Sequence, residues 1–233
     1  MPVNQYIDHT EINIASGRAI NHRHVHKFGY NPDAGVNYED IWAQGGQITF
    51  ATAGHVATIA SNNSNAGSEI TIEGLDIDYN EITDVLLIDN SGNATGTKEF
   101  LRINRAFVSN DTPTEAVMRI QLNSVNTARI EVAHQQTMQN IYTVPAGHNA
   151  YLIQLSVGLK TKDKDGEFRL YVREHGGVFR TRDYFNMQSN FTEKNYPIPL
   201  KFPEKTDIKL QCKLTGADAG VSGTFDLILV KGR

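Results

Sequence analysis

The chain has 233 residues, a formal net charge of −4 and one cysteine, Cys212. A single cysteine excludes a domain built on intrachain disulfides, and the acidic balance with dispersed Lys and Arg argues against a nucleic-acid binder. No stretch approaches the roughly 20 apolar residues of a membrane span, and the first residues lack the pattern of a secretory leader, so we expect no membrane contact.

Residues 1–38 keep neither helical nor strand periodicity for long, and they predict an extended N-terminal arm. Their apolar residues are too numerous for a free tail, yet they follow no period that would bury them in one regular element: Ile7, Ile12, Ile14, Ile20, Val25 and Phe28. We therefore expect this arm to dock on a neighbouring subunit or another protein instead of packing on its own β core.

Residues 39–112 predict a first β region. Strand-like pieces at 47–52, 55–60, 69–77, 83–88 and 100–109 are separated by Asn, Ser, Gly and Asp clusters that favour turns. Trp42, the only tryptophan, precedes the first of these pieces and is expected to close a small core.

Residues 113–233 predict a second β region, a β-sandwich, and for the chain as a whole we expect an all-β fold, an antiparallel β-sandwich of jelly-roll-like type. Apolar and polar residues alternate there with the period of two-faced strands, as in the row Ile208, Leu210, Cys212 and Leu214. The longest interruption is 180–205, where Pro197, Pro199 and Pro203 oppose regular ladder bonding. This interruption predicts a surface excursion with a short helical turn.

The candidate binding residues lie in the arm and alternate along it: His22, His24, His26, Phe28 and Tyr30. Three imidazoles on one side of an extended segment could converge on a metal, particularly on a symmetry axis. A polar row of this kind is more often a partner-contacting face, so we predict partner binding, with no metal or other cofactor.

No catalytic signature is present in the sequence. The Gly-x-Ser-x-Gly elbow, the phosphate-binding Gly-x-x-x-x-Gly-Lys loop and the His-Glu-x-x-His helix are all missing. Asp76 and Asp78 could be taken for paired glycosidase carboxylates, but acids at alternate positions of a strand usually mark its solvated face. The sequence predicts a protein that is not an enzyme.

Seven segments, in this order, resemble a family of virion structural proteins from tailed bacteriophages, chiefly of marine and cyanobacterial hosts. The segments are KFGYNPD at 27–33, EDIWAQGG at 39–46, ITIEGLDIDYNEITDVLLI at 70–88, FLRINRAFV at 100–108, YTVPAGHNAYL at 142–152, GGVFRT at 176–181 and PEKTDI at 203–208. The likeness spans nearly the whole chain. It implies a β-rich accessory protein of the particle, with no active residues to carry over.

From this resemblance we expect a virion component, assembled in the host cytoplasm, that decorates or cements the phage head. Its expected partners are other copies of itself, first as a homotrimer, and other virion proteins such as capsid or tail components. An alternative is a tail or fibre-associated module that binds a host surface glycan or protein, and a glycan-degrading depolymerase is the third hypothesis. The number of copies in each particle separates decoration from a tail module.

Overall fold

A computed structural model describes residues 10–161, 165–187, 190–216 and 218–232. Over these residues the chain is almost entirely β, with strands in four antiparallel sheets, which confirms the all-β sandwich class predicted from the sequence. In chain order the elements are α1 (Thr10–Ala15), β1 (His22–Ala34), β2 (Glu39–Asp40), β3 (His55–Ala60), β4 (Glu69–Leu75), β5 (Glu81–Leu87), β6 (Asn93–Phe100), β7 (Arg102–Val108), β8 (Met118–Leu122), β9 (Val125–Ile130), β10 (Ile141–Thr143), β11 (His148–Leu159), β12 (Gly166–Arg173), β13 (Arg180–Met187), β14 (Phe191–Phe202), β15 (Asp207–Leu214) and β16 (Ala219–Lys231).

One sandwich, which we call the jelly-roll domain, combines both ends of the described chain. Its first sheet has the order β1-β16-β11-β14, and its second has the order β10-β15-β12-β13, with β2 also paired to β15. This strand order is that of a jelly roll, in which two Greek keys form two facing sheets. The jelly-roll-like sandwich expected for the chain is therefore present, and it includes β1 and β2 from before residue 113.

The core of the jelly-roll domain follows from the period-two pattern of its strands. Leu210 and Cys212 on β15 are fully buried and share one apolar cluster with Phe225 on β16 and Leu155 on β11. The row read from the sequence is thus the inner face of its sheet. Cys212 packs there as a small apolar residue, and burial raises the pKa of its thiol.

A second sandwich, which we call the inserted sandwich, lies between β2 and β10 in the chain. It joins a sheet of order β6-β3-β8-β9 to a sheet of order β5-β4-β7 around its own apolar cluster. Met118 and Ile120 of β8 are fully buried in this cluster. The boundary predicted at residue 113 is therefore misplaced, because β8 and β9 belong to the inserted sandwich.

Trp42 lies where the two sandwiches meet. It is 2% exposed and packs in a small cluster with Ile48 and Ile141, as expected for a residue that closes a core. No strand forms at 47–52, although the sequence predicts one there.

The second half of the arm predicted at 1–38 is instead a strand of the jelly-roll domain. Residues His22–Ala34 form β1, which pairs with β16 from His22↔Val230 to Asn31↔Val221. The expectation that this segment packs away from its own core is wrong for β1. Its partner strand is about 200 residues away in the chain, so local periodicity could not reveal the pairing. Residues 1–9 lie outside the described part of the chain.

The surface excursion predicted at 180–205 is also wrong. That segment forms β13 and β14, the edge strands of the two sheets of the jelly-roll domain. Pro197 and Pro199 fit because β14 is an edge strand, and they lie in a bulge where the β11–β14 register jumps from Leu152↔Leu200 to Gln154↔Asn195. In half-exposed edge strands apolar and polar residues do not alternate cleanly. The sequence of these two strands therefore resembled that of a surface loop.

In the part of the chain that the structure describes, no helix has both the length and the apolar content needed to cross a bilayer.

Candidate partner-binding site

The first candidate site is an open cleft of about 710 Å³ along β1, which we call the β1 cleft. One wall is the stretch from Arg23 to Phe28 on β1. The opposite wall comes from the inserted sandwich and includes Glu73 on β4, Glu81 on β5 and Arg105 on β7. The cleft thus exists only because the two sandwiches meet beside β1.

The structure places all five candidate residues on one face of β1. His22, His24 and His26 are exposed, and Phe28 and Tyr30 are half-buried. Because side chains alternate across a strand, these residues form one continuous row. The His26 and Phe28 rings stack with their centroids 6.1 Å apart. His24, His26 and Phe28 also line the β1 cleft.

One carboxylate orders the middle of this row. Asp226 on β16 pairs with His26 across the ladder, and its Oδ1 lies 2.7 Å from His24 Nε2 and 2.8 Å from His26 Nδ1. Each imidazole presents an N–H to the same oxygen, so the two rings are held side by side. His22 is turned elsewhere, since its Nδ1 lies 2.8 Å from the carbonyl oxygen of Ile20.

Among the described residues, no three His, Cys, Asp or Glu side chains are grouped so that they could hold a metal ion. Asp226 joins only two of the three imidazoles of the row.

The β1 cleft carries charges of both signs. Arg23 forms an ion pair with Glu81, and Arg105 lies 3.9 Å from Glu73. Burial lowers the pKa of Arg23, but the hydrogen bond and charge of Glu81 outweigh it and leave that pKa above its ordinary value. Charges of opposite sign are thus paired within the cleft.

Lys27 is the unusual cation of this cleft. Its side chain is buried, and its Nζ donates to the carbonyl oxygen of Asn104 at 2.5 Å. Burial, helped by the nearby charge of Arg105, lowers the pKa of Lys27 to about 7 against a smaller opposing effect of Glu73. A neutral or partly neutral amine therefore bridges β1 to the inserted sandwich near neutral pH.

The backbone of β1 offers unused hydrogen-bonding groups to the cleft. The N–H of Lys231 donates to the carbonyl oxygen of Asn21 at 2.9 Å. Hydrogen-bonded and non-hydrogen-bonded pairs alternate along an antiparallel ladder, so the amide groups of His24 and His26 point away from β16. Among the described strands, β1 pairs with β16 alone, which leaves these groups at a sheet edge.

The acids suspected of catalysis have a structural role. Asp76 Oδ1 accepts the backbone N–H groups of Asp78 at 2.9 Å and Asn80 at 2.8 Å. This carboxylate closes the turn between β4 and β5 in the way Asp does in tight turns.

Sequence reasoning identified the row on β1 but missed the residues that face it. Asp226, Glu81 and Arg105 are distant in the chain and lie in ordinary polar positions of their strands. A weak signal was present for Asp226, since it is the one charged residue in the otherwise apolar run FDLILV at 225–230.

No protein-family model and no curated protein sequence matches the chain. Among solved structures, the chain is similar to that of the infectious bursal disease virus Gt strain, at 11% identity and a TM-score of 0.26, over 90% of this chain and 71% of that one. It is also similar to the infectious bursal disease virus VP2 subviral particle, at 9% identity and a TM-score of 0.26, over 91% of this chain and 72% of that one. Likenesses of this strength carry no argument about this chain.

Proposed function

We propose that this protein is a structural component of a tailed-phage particle that assembles as a homo-oligomer, with a trimer as the first choice, and decorates or cements the head. The resemblance of seven segments between residues 27 and 208 to phage virion proteins supports the virion role. The jelly roll agrees with it by analogy only, because viral capsid proteins and lectins both use this fold.

The observation that carries the assembly role is the unprotected edge of β1. Soluble β proteins usually block edge strands with proline, bulges or inward charges, because an open edge invites another strand. The opposite edge of the same sheet, β14, is blocked in this way by Pro197, Pro199 and a register jump. Between His22 and Asn31, β1 contains neither a proline nor a bulge, and its buried inward cation, Lys27, is bonded to Asn104 of the inserted sandwich.

The partner that we assign to this edge is a second copy of the chain, which adds an extended segment along β1 inside the β1 cleft. Strand addition would satisfy the outward amide groups of His24 and His26, and the row on β1 would contact the incoming side chains. A contact between two different surfaces of identical subunits is heterologous, and such contacts close into rings such as a trimer when the rotation permits.

The deciding experiment is an electron cryomicroscopy reconstruction of the phage particle with this protein located and counted. Decoration of the head requires many copies spread in the symmetry of the shell. A few copies confined to the tail would instead support the tail or fibre module. Sedimentation of the purified protein gives the oligomeric state, and a monomer at high concentration would contradict self-assembly through β1.

A further inference from the structure

A second cleft, of about 410 Å³, lies where the inserted sandwich meets the jelly-roll domain, and we call it the junction cleft. The inserted sandwich contributes Tyr79 and Arg102, and the jelly-roll domain contributes Arg173, His175 and Lys205. Its volume falls within the range of small-molecule sites, which commonly occur between domains. It uses none of the β1 residues on which the assembly role depends.

The floor of the junction cleft has more positive than negative charge. Arg102 and Arg173 both donate to the single buried carboxylate of Asp207. Lys205 adds a third cation, and among the described residues of the lining Glu174 is the only other carboxylate. Three fixed cations against two carboxylates leave one net positive charge.

Two donors remain free for a ligand. Arg173 uses Nε and Nη2 on Asp207, at 2.9 and 2.5 Å, while its Nη1 has no acceptor among the described residues. The Lys205 ammonium likewise forms no hydrogen bond or ion pair within the described chain, and the centroid of the Tyr79 ring lies 5.6 Å from its Nζ. Arg173 is partly exposed, at 29% of its side chain.

An aromatic ring stands beside these donors. Tyr79 is half-buried, and the His175 ring meets it edge-on with the centroids 5.3 Å apart. The Arg102 guanidinium and the Lys205 ammonium lie over this ring, 5.8 and 5.6 Å from its centroid, so only the rest of the ring is open to a ligand. A tyrosine ring offers both an apolar face and a polar hydroxyl, a combination that suits a ligand with one apolar side and several hydroxyls.

Both Tyr79 and Lys205 are held in the left-handed backbone region, at φ of 69° and 62°. This region is unfavourable for side chains of their kind and persists only where the surroundings enforce it. The Tyr79 carbonyl oxygen accepts the N–H of Ala146, and the Lys205 N–H donates to the carbonyl oxygen of Val144. These bonds hold both turns against the same loop, so the ring and the ammonium are positioned together.

We propose that the junction cleft binds an acidic sugar. The sugar's carboxylate is held by Arg173 Nη1 and the Lys205 ammonium, and its ring packs on the Tyr79 side chain. The excess positive charge selects the carboxylate, while the aromatic face next to hydrogen-bonding groups selects a saccharide over a small inorganic anion.

The test uses calorimetric titration of the purified full chain with galacturonate, with galactose as the neutral match and sulfate as the free anion. Binding of galacturonate without binding of galactose is the expected result. No binding of galacturonate at millimolar concentrations would overturn the proposal. Sulfate that binds as well as galacturonate would show a site for anions only and would overturn the assignment to a sugar.

Two variants locate the site without adding backbone strain, because asparagine tolerates the left-handed region. Lys205→Asn removes the ammonium, and Tyr79→Asn removes the ring, so each should weaken galacturonate binding at least tenfold. Lys201→Gln, on β14 outside the cleft, removes the same charge and should leave binding within twofold. Equal loss in Lys201→Gln would show a nonspecific charge effect and would contradict the proposed site.

Discussion

Arg102 of the inserted sandwich binds Asp207 of the jelly-roll domain through two parallel contacts, Nε to Oδ1 at 2.8 Å and Nη2 to Oδ2 at 3.2 Å. Both side chains are almost fully buried, at 6% and 3% exposure. Thr143 and Arg173 donate to the same carboxylate. The two sandwiches are thus joined by a charge network around the buried carboxylate of Asp207, both of whose oxygens are hydrogen-bonded, and this network fixes one orientation between them.

The first prediction is that Asp207→Asn strongly destabilises the protein. The substitution leaves Arg102 buried without a counter-charge, and breaking one side of a buried pair costs about 3–5 kcal/mol. Urea unfolding measures the loss. Arg173→Gln should cost less, because Arg173 is partly exposed and water can replace its contacts. Equal stability of Asp207→Asn and the parent would contradict the role given to this network.

The same network gives a direction of pH dependence. Burial raises the pKa of Asp207, but the hydrogen bonds and charges of Arg102, with Thr143 and Arg173, outweigh it and hold that pKa below its ordinary value. Because the pKa of Asp207 is lower in the folded state, its ionised carboxylate stabilises the fold at pH values above the unfolded pKa, about 3.9. This stabilisation is lost as the pH falls through the folded pKa.

This network could not be predicted from the sequence. Arg102 and Asp207 are 105 positions apart, and each stands at the start of a strand where a charged residue is ordinary. The apolar rows were predictable, because alternation is local. On β15 the row of Leu210 and Cys212 is buried as expected, yet Lys209 and Gln211, which alternate with this row, are buried as well. Asp40 on β2 binds both polar side chains, and only the tertiary fold brings it there.

The second prediction tests that apolar row. Leu210→Ala should cost about 2–5 kcal/mol, since Leu210 is fully buried and its loss leaves a cavity. Val178→Ala, at a position 66% exposed, is the matched control and should change stability by less than about 0.5 kcal/mol. Chemical denaturation of both variants provides the comparison. Similar small effects in the two would mean that the β15 register is incorrect.

The third prediction concerns the pH dependence that Lys27 confers. Its pKa is lowered to about 7 by burial and by Arg105, against an ordinary value of 10.5. Below about pH 7 both states carry the proton and the folded state bears the full cost of a buried charge. Between about pH 7 and pH 10.5 only the unfolded state keeps the Lys27 proton, so the folded state no longer carries the buried charge. The free energy of unfolding therefore increases as the pH rises through this range.

Lys27→Met removes this penalty while keeping a long apolar side chain. The variant should be more stable than the parent at pH 6, and its advantage should shrink as the pH rises toward 10. Thermal unfolding at several pH values measures the difference between the two proteins. A difference that stays constant across this range would show that the Lys27 amine does not change its protonation on folding.

The candidate row on β1 was visible in the sequence, but its nature as a strand was not. The inward positions of β1 include Lys27, Gly29 and Asn31, which are poor signals for a buried strand face. Gly29 is required there, because a Cβ would lie 2.3 Å from the carbonyl oxygen of Ile41. Close backbone packing, and not an apolar side chain, buries this part of β1.

The fourth prediction distinguishes the edge of β1 that pairs with β16 from the edge that is open to a second subunit. His24→Pro removes an N–H that points away from β16, so the ladder with β16 should survive and the fold should remain. Self-association should nevertheless fall sharply. The N–H of residue 24 is no longer available to a carbonyl group of the incoming strand, and the proline ring stands in the way of that strand. Analytical ultracentrifugation measures the association, and circular dichroism with thermal unfolding confirms the fold.

Two companion variants complete this test. His24→Ala removes only the imidazole, so it shows how much of the loss comes from the contact with Asp226. Val25→Pro removes an N–H directed to β16 and should destabilise the isolated subunit itself. Strand addition predicts that His24→Pro associates less than His24→Ala while both stay folded. Undiminished association of His24→Pro would place the subunit contact elsewhere and leave the β1 edge without the role proposed for it.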